Sequence, residues 1–289
     1  MAKPKNTYYL TAHCPSTLGT MDVLTRYLCE RQCHVVEMQT FDDVESGHFF
    51  VRLEFRPPTE LAFDVTAFSD GLAPRAAQFA MHWQLTAASL RPNVVVMVSR
   101  LDHCLNDLLY RYRTGQLAIE IPAIISNHPD LQRLADWHHI PFYYLPVDDS
   151  NRMEQEAQIR QIITECQADL VVLARYMQML SPELCTALTG KAINIHHSLL
   201  PGFKGEHPYH QAYDKGVKLV GATAHYINNQ LDDGPIISQG VEVVDHRHYP
   251  EQLIAKGRDI ECRTLARAVQ AHIEGRVFLH QGKTVVFSS

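Results

Sequence analysis

The chain of 289 residues is 46% hydrophobic and 20% charged, which is ordinary globular composition with enough apolar side chains for a sizeable core. Its net charge is -6 and its 26 basic residues are spread along the sequence, so the concentrated basic footprint of a nucleic-acid binder is excluded. The length favours two domains over a single one of average size.

From Tyr8 the text runs through a short apolar strand, a turn at Pro15 to Gly19, and a helix with Met21, Leu24, Tyr27 and Leu28 at helical spacing. The runs "HVVEMQTF" and "HFFVRLEF" follow, joined by the turn-forming "DDVESG". A second helix and a weak last strand come from "PPTELAFDVTAFSDGLAPRAAQFAMHWQLT". The pattern predicts a small ferredoxin-like βαββαβ sandwich over residues 1–89, with either "HVVEMQTF" or "HFFVRLEF" as an open edge for pairing between subunits. The proline-containing "SLRPN" reads as a linker.

From Val94 short apolar runs alternate with amphipathic stretches: "VVVMVS", "LNDLLYRYRTG", "IPAIIS", "PDLQRLADWHH", "FYYLPV", "MEQEAQIRQIITECQ", "DLVVLA" and "AINIH". This rhythm predicts an open, mostly parallel α/β sheet, and runs without internal alternation suit strands buried on both faces. "KLVGATAHYI" and "PIISQGVEVV" predict an antiparallel pair at one edge, and "EQLIAKGRDIECRTLARAVQAHIEG" a long closing helix before "RVFLHQGKTVVF". The seven cysteines are odd in number and scattered without paired CxxC knuckles, so they are expected to be reduced core residues. Cys29 and Cys33 lie four apart on a helix, but no second pair completes a metal site. No apolar stretch of membrane-spanning length and no cleavage signal is present, which predicts a cytoplasmic protein without a membrane partner.

Ligands of open parallel sheets bind outside the carboxyl ends of the strands. There the sequence places "INIHHSLLPGFKGEHPYH". Asn194 and His196 are two apart on a strand and leave the same face, while Ile193 and Ile195 point the other way. A metal reading of His196, His197, His207 and His210 is disfavoured, because adjacent strand residues diverge and no carboxylate-histidine pattern accompanies them. The second constellation is "GATAHYINNQLDDGPII". Period-two alternation puts Thr223 and His225 on one face, whereas Asp232 and Asp233, taken by themselves, read as turn formers.

These segments resemble the catalytic region of the folate-dependent formyl-transfer superfamily, and within it the formyltetrahydrofolate deformylase family. The Asn-x-His and "LDxGP" hallmarks fall on Asn194, His196 and Asp232, and "SRLDHCLNDLLYRYRTGQLAIEIPAIISNHPD", "DLVVLARYMQMLSP" and "GRDIECRTLARAV" extend the likeness over residues 93–287. The resemblance implies a formyltransferase-fold catalytic domain over 90–289 after an ACT-type regulatory domain over 1–89. It also implies hydrolysis of 10-formyltetrahydrofolate to formate and tetrahydrofolate, with no metal and no cofactor beyond the folate substrate. Asn194, His196 and Asp232 would then be catalytic. The "ARYMQML" segment, through Met177, Gln178, Met179 and Leu180, would line the pterin pocket, and His225 would stand behind Asp232 on the substrate side. An amino-acid effector at the N-terminal domain and a homo-oligomer are the further partners implied.

The sequence departs from the family pattern in two places. "CPSTLG" stands where the family often reads Cys-Pro-Asp-Arg-x-Gly, and Lys204 and Glu206 stand where an uncharged and a smaller residue are expected, over the active-site mouth. Two rivals have signatures of their own. A transferase with a phosphate-bearing acceptor wants a glycine-rich turn at a helix start, and the corresponding loop is "SRLDHCLND". A non-catalytic folate sensor has no need of the intact Asn194, His196 and Asp232.

Overall fold

The structure, a computed structural model, describes residues 6–59, 63–148, 150–202 and 208–288. Lys204, Glu206 and His207, and with them the expected mouth loop, lie outside the described residues.

The N-terminal elements come in the order β1 (Tyr8–Pro15), α1 (Thr20–Glu30), β2 (His34–Asp43), β3 (His48–Arg56), α2 (Val65–Ala77) and β4 (His82–Ala87). They form an antiparallel sheet in the order β2-β3-β1-β4. Leu24, Tyr27 and Leu28 of α1 and Phe68 and Leu72 of α2 pack with Leu10, Val51, Leu53 and Phe55 of the strands into one core. Asp64 caps α2, its Oδ1 accepting from the Ala67 N–H at 2.9 Å, and the Tyr27 hydroxyl donates to the Phe68 carbonyl at 2.6 Å.

Two sequence expectations change here. "HFFVRLEF" is not an edge, because β3 pairs with β1 on one side and β2 on the other. The edges are β2 and β4, and β2 leaves Val36, Met38 and Phe41 exposed. The chain also does not divide once near residue 89. One compact unit comprises Met1–Leu90 with Glu274–Phe278 and Val285–Ser289, and the other Arg91–Ile273 with Leu279–Thr284. The reason is chemical. Arg52, wholly buried within β3, donates from Nε to the Glu274 carbonyl at 2.8 Å, and Phe278 packs edge-on against Phe50 and His13.

The second unit holds β5 (Val94–Val98), α3 (His103–Arg113), β6 (Ile124–Ser126), α4 (Gln132–Trp137), β7 (Phe142–Tyr144), α5 (Arg152–Glu165), β8 (Leu170–Leu173), α6 (Pro182–Ala187), β9 (Ala192–His196), α7 (Pro208–Asp214), β10 (Leu219–Tyr226), β11 (Ile236–Val243) and α8 (Pro250–Ile273). The sheet order is β11-β10-β9-β8-β5-β6-β7. Strands β7, β6, β5, β8 and β9 run parallel, and β10 and β11 are antiparallel additions. Every residue of β5 and β8 is buried, as strands covered on both faces require. From β5 the chain builds outward first to β6 and β7, then on the other side to β8 and β9. The crevice at that switch opens at the carboxyl ends of β5 and β8. Among the described residues no helix is long and apolar enough to cross a membrane. All seven cysteines are free; Cys14, Cys104 and Cys185 are buried, but Cys29 is exposed, so it is not the core residue expected.

Candidate active site

A cavity of about 890 Å³ opens at this crevice, and the residues that the sequence reading made catalytic or substrate-binding line it: Asn194, His196, Asp232, His225 and Met177 to Leu180. Strand pairing explains the convergence. Strands β9 and β10 are antiparallel with His225 opposite Asn194 and Thr223 opposite His196, so directly paired side chains stand on one face.

Asp232 arrives by a turn that depends on the glycine two residues later. A side chain at Gly234 would put its Cβ 1.6 Å from the Tyr226 carbonyl oxygen, so this residue has to be glycine. Asp232 itself takes φ 53°, a left-handed conformation that aspartate tolerates better than most residues. Asn228 laces the turn, donating to the Asp233 carbonyl at 3.0 Å and accepting from the Gln230 N–H at 3.0 Å. As a result Asp232 faces the cavity while Asp233 is exposed and does not line it.

Asp232 Oδ2 lies 3.1 Å from His196 Nδ1, and Oδ1 lies 3.8 Å from His225 Nε2. Burial by itself would raise the Asp232 carboxyl, but the hydrogen bond with His196 outweighs it and holds the group well below the usual carboxylate range. The ionised carboxylate places the His196 proton on Nδ1. The other nitrogen, Nε2, is then free to accept from the Ser198 hydroxyl at 2.8 Å. His225 is anchored in the opposite sense. Its Nδ1 donates to the Tyr226 carbonyl at 2.8 Å, so Nε2 accepts from the Asn194 amide at 3.3 Å. His225 therefore serves Asn194 more directly than Asp232. One Asn194 N–H is used in this way, and the second is left for a ligand oxygen.

The "ARYMQML" loop is held from three sides. The Met177 N–H donates to Ser99 Oγ at 3.0 Å, Arg152 donates to the Met179 carbonyl at 2.8 Å, and Glu156 accepts from Ser181 N at 2.7 Å and from the Ser181 hydroxyl. The Met179 carbonyl is thus already engaged, which takes one backbone acceptor of the loop away from any ligand. Met177 and Met179 are exposed at the rim, where soft, unbranched side chains can adapt to a flat ring.

Sequence reasoning missed a buried polar cluster on the same cavity wall. Glu261 of α8 accepts from Tyr209 Oη at 3.0 Å on one oxygen; its other oxygen lies 2.7 Å from His103 Nε2 and 3.5 Å from Arg175 Nε. Burial opposes the Glu261 charge, but His103, Arg175 and Tyr209 together hold its carboxyl below the usual range. Gly257 makes room for this arrangement, since a Cβ there would lie 2.0 Å from Tyr209 Oη. His103, Cys104 and Glu261 bring their ligand atoms within 4.8 Å of one another. The donor set nevertheless fits a hydrogen-bond network better than a cation: Glu261 is already held by two donors and a guanidinium, and the Cys104 thiol is pushed well up by its hydrogen bond with Cys262 and by burial. A signal for Glu261 was present in the sequence, because it falls in helical register with Leu253, Gly257, Thr264, Leu265 and Ala268 on the buried stripe of α8.

The formyl transferase family profile matches residues 92–269. A formyltetrahydrofolate deformylase of Corynebacterium sp. (strain P-1) is 46% identical over 279 residues, covering 96% of this chain and 97% of its own. The chain belongs to the formyltetrahydrofolate deformylase family. Among solved structures, the formyltetrahydrofolate deformylase from Pseudomonas putida KT2440 is 63% identical with a TM-score of 0.92, covering 97% of this chain and 100% of that one. The one from Burkholderia mallei ATCC 23344 is 50% identical with a TM-score of 0.93, covering 98% and 100%. Membership in the deformylase family sets the frame for the cavity: Asn194, His196 and Asp232 stand together on one wall, and the rigid "ARYMQML" loop stands at the rim.

Proposed function

We propose that this chain hydrolyses 10-formyltetrahydrofolate to formate and tetrahydrofolate with water as the formyl acceptor, in the cytoplasm, feeding one-carbon and purine metabolism. The observation that carries the reading is the His196–Asp232 pair at 3.1 Å beside Asn194 in one cavity of a deformylase-family chain. Hydrolysis of a formamide passes through a tetrahedral oxyanion, and a donor aimed at that oxygen contributes about 3 to 4 kcal/mol. The free Asn194 N–H fills that role. Because the Asp232 carboxyl is depressed, it is a weak base when taken alone. The hydrogen-bonded pair therefore handles the proton: water gives it to the Asp232–His196 unit as its oxygen bonds to carbon, and the same unit returns it to N10 as the C–N bond breaks. No metal or cofactor takes part in these steps.

The first unit reads as an ACT-type, ferredoxin-like regulatory domain, a view supported by its βαββαβ order and its antiparallel β2-β3-β1-β4 sheet. An amino-acid effector and a homo-oligomer paired through β2 belong to this reading. Charged replacements of Val36 and Met38 should then reduce the mass measured by light scattering; an unchanged mass removes the β2 interface.

The formyl transferase profile gives one specific reason to weigh a second reading, transfer to an amine. Turnover of 10-formyltetrahydrofolate with and without an amine, in buffer with and without chelator, separates the two. Formate should appear without amine and persist with chelator. Product formation that requires the amine, or that stops with chelator, overturns the hydrolytic reading.

A further inference from the structure

The cavity wall holds one cation that the mechanism above leaves unused. Arg175 stands two residues past the end of β8, at the carboxyl-end crevice, and takes φ 66°, a left-handed backbone that arginine rarely adopts and that persists where a site demands it. Its side chain keeps only 10% of its exposure, whereas Arg258, the other arginine of the cavity, is exposed. The sealed Nε lies 3.5 Å from Glu261, and that carboxylate is already engaged by His103 at 2.7 Å and Tyr209 at 3.0 Å. The terminal nitrogens Nη1 and Nη2 are not sealed in this way, and the surface that the side chain retains lies on the cavity. A guanidinium held out of water with its terminal nitrogens unbonded is costly, and a carboxylate matches its two-pronged end in shape and charge. The Arg175 charge also reaches the reacting side of the cavity. His197, whose ring centroid is 5.0 Å from that of His196, is pushed down to about 4, first by burial and next by the Arg175 charge.

We propose that Arg175 forms a product subsite, whose terminal nitrogens receive formate as that anion leaves the formyl position. This rests on the hydrolytic reading and deepens it. Formic acid made beside Asp232 ionises, and the Asp232 carboxylate, held in its charged form by His196, repels the resulting anion. Arg175 is the buried arginine on the wall of the same cavity, and a small planar anion can accept two parallel N–H bonds from Nη1 and Nη2. Formate is thereby drawn off the reacting atoms, and the reverse reaction loses one of its partners. The folate carries carboxylates of its own on the glutamyl tail, so the same chemistry has a second source. The exposed Arg258 suits that tail better, and the nearly buried Arg175 suits an anion as small as formate.

The test is binding of isotope-labelled formate to the full-length chain, followed by NMR line broadening at constant ionic strength with chloride as the balancing salt. The affinities of tetrahydrofolate and of tetrahydropteroate, which lacks the glutamyl tail, are measured beside it. Arg175→Gln keeps a polar side chain but removes the charge and the fork, and should weaken formate binding about tenfold to a hundredfold. Both folate ligands should stay within about threefold of the parent. Arg175→Lys keeps the charge without the fork and should fall between the two. If Arg175→Gln yields too little folded protein, Arg175→Lys decides in its place, with formate weakened about threefold or more. An unchanged formate affinity in the deciding variant, or a parent that binds no formate, overturns the subsite while leaving hydrolysis intact. Weaker binding of tetrahydrofolate with unchanged binding of tetrahydropteroate also overturns it, since Arg175 would then hold the folate's own tail. A parent that binds formate through Arg175 but releases none from 10-formyltetrahydrofolate overturns the hydrolytic reading, and formate as the natural occupant with it.

Discussion

Each of the two units buries a charged side chain, and the surroundings differ. In the first, Arg52 is wholly buried; it donates to Glu274 O at 2.8 Å and to Glu37 at 3.1 Å, and Glu54 lies 3.9 Å away. Its partners are the sheet and the C-terminal segment that covers it, and they leave no opening. In the second, Glu261 is equally buried, yet it and its partners His103, Arg175 and Tyr209 all line the cavity. Burying a charge costs several kcal/mol unless it is paired. The Arg52 cluster uses that pairing to attach a chain segment, and the Glu261 cluster uses it to set the shape and charge of a cavity wall.

The sharpest way to test this contrast is within the site. Asp232→Asn keeps the size and turn chemistry but removes the carboxylate from His196, and single-turnover formate release should fall about 10²- to 10⁴-fold, on the order of 3 to 5 kcal/mol of barrier. Asp233→Asn, exposed and off the cavity, should stay near the parent, and folate affinity should survive both. Equal losses in the two variants would return Asp232 to the role of a turn residue.

The next test acts on the two buried charges. Arg52→Leu and Glu261→Leu each strand partners in the interior, and each should cost about 3 to 5 kcal/mol of stability in denaturant titrations. Only Glu261→Leu should also lower turnover per folded molecule, because only its partners line the cavity. Similar turnover losses in both variants would erase the distinction.

What the sequence made legible follows from the same contrast. Strands β5 and β8 are uniformly apolar, and the helices between them keep helical spacing, so the parallel sheet could be read directly. Asn194 and His196 could be found because strand alternation fixes their directions locally, whereas Asp232 was told apart from Asp233 only by the likeness of its turn to the family's "LDxGP" hallmark. The cover over Arg52 could not be read, since Glu274 lies 222 residues away and nothing local marks the contact. The Ser198 bond to His196 was missed for a different reason: a serine after two histidines reads as loop, and only the bend after β9 brings its hydroxyl back to Nε2. Glu261 is legible in principle as the acidic residue on the buried stripe of α8.

A pH-dependent test probes a buried histidine away from the site. His272 Nδ1 lies 2.6 Å from the Tyr226 hydroxyl, and burial pushes the ring down to about 4, against which Asp169 acts only weakly. The unfolded ring titrates near 6.5, so between about 6.5 and 4 the unfolded chain takes up a proton that the folded chain refuses. Stability should therefore be free of this penalty above about pH 6.5 and fall as pH drops toward 4, by on the order of 2 kcal/mol. His272→Phe should be less stable than the parent at pH 7, having lost the Tyr226 bond, and should show a shallower fall on going to pH 5. Parallel stability curves for the two proteins would show that His272 is not the group refusing the proton.

The smallest expected effect is the most direct on how the cavity wall is held. Tyr209→Phe removes one hydroxyl and leaves the ring beside His197, so packing is conserved and only the 3.0 Å bond to Glu261 is lost. A hydrogen bond to a charged group contributes about 1.5 to 3 kcal/mol, but Glu261 keeps His103 and Arg175, so the stability loss should sit at the lower end, about 1.5 kcal/mol. With one donor fewer, the Glu261 carboxyl is less stabilised as an anion and its charge acts more strongly on Arg175. The guanidinium should then be drawn toward Glu261 and away from the cavity. If Tyr209 and its network act on the reaction while the folate sits at the rim with Met177 and Met179, kcat should drop several-fold and KM for the folate should stay near the parent value. A change confined to KM would instead place Tyr209 and its network on the folate side of the cavity, and the separation between a reacting wall and a binding rim would have to be redrawn.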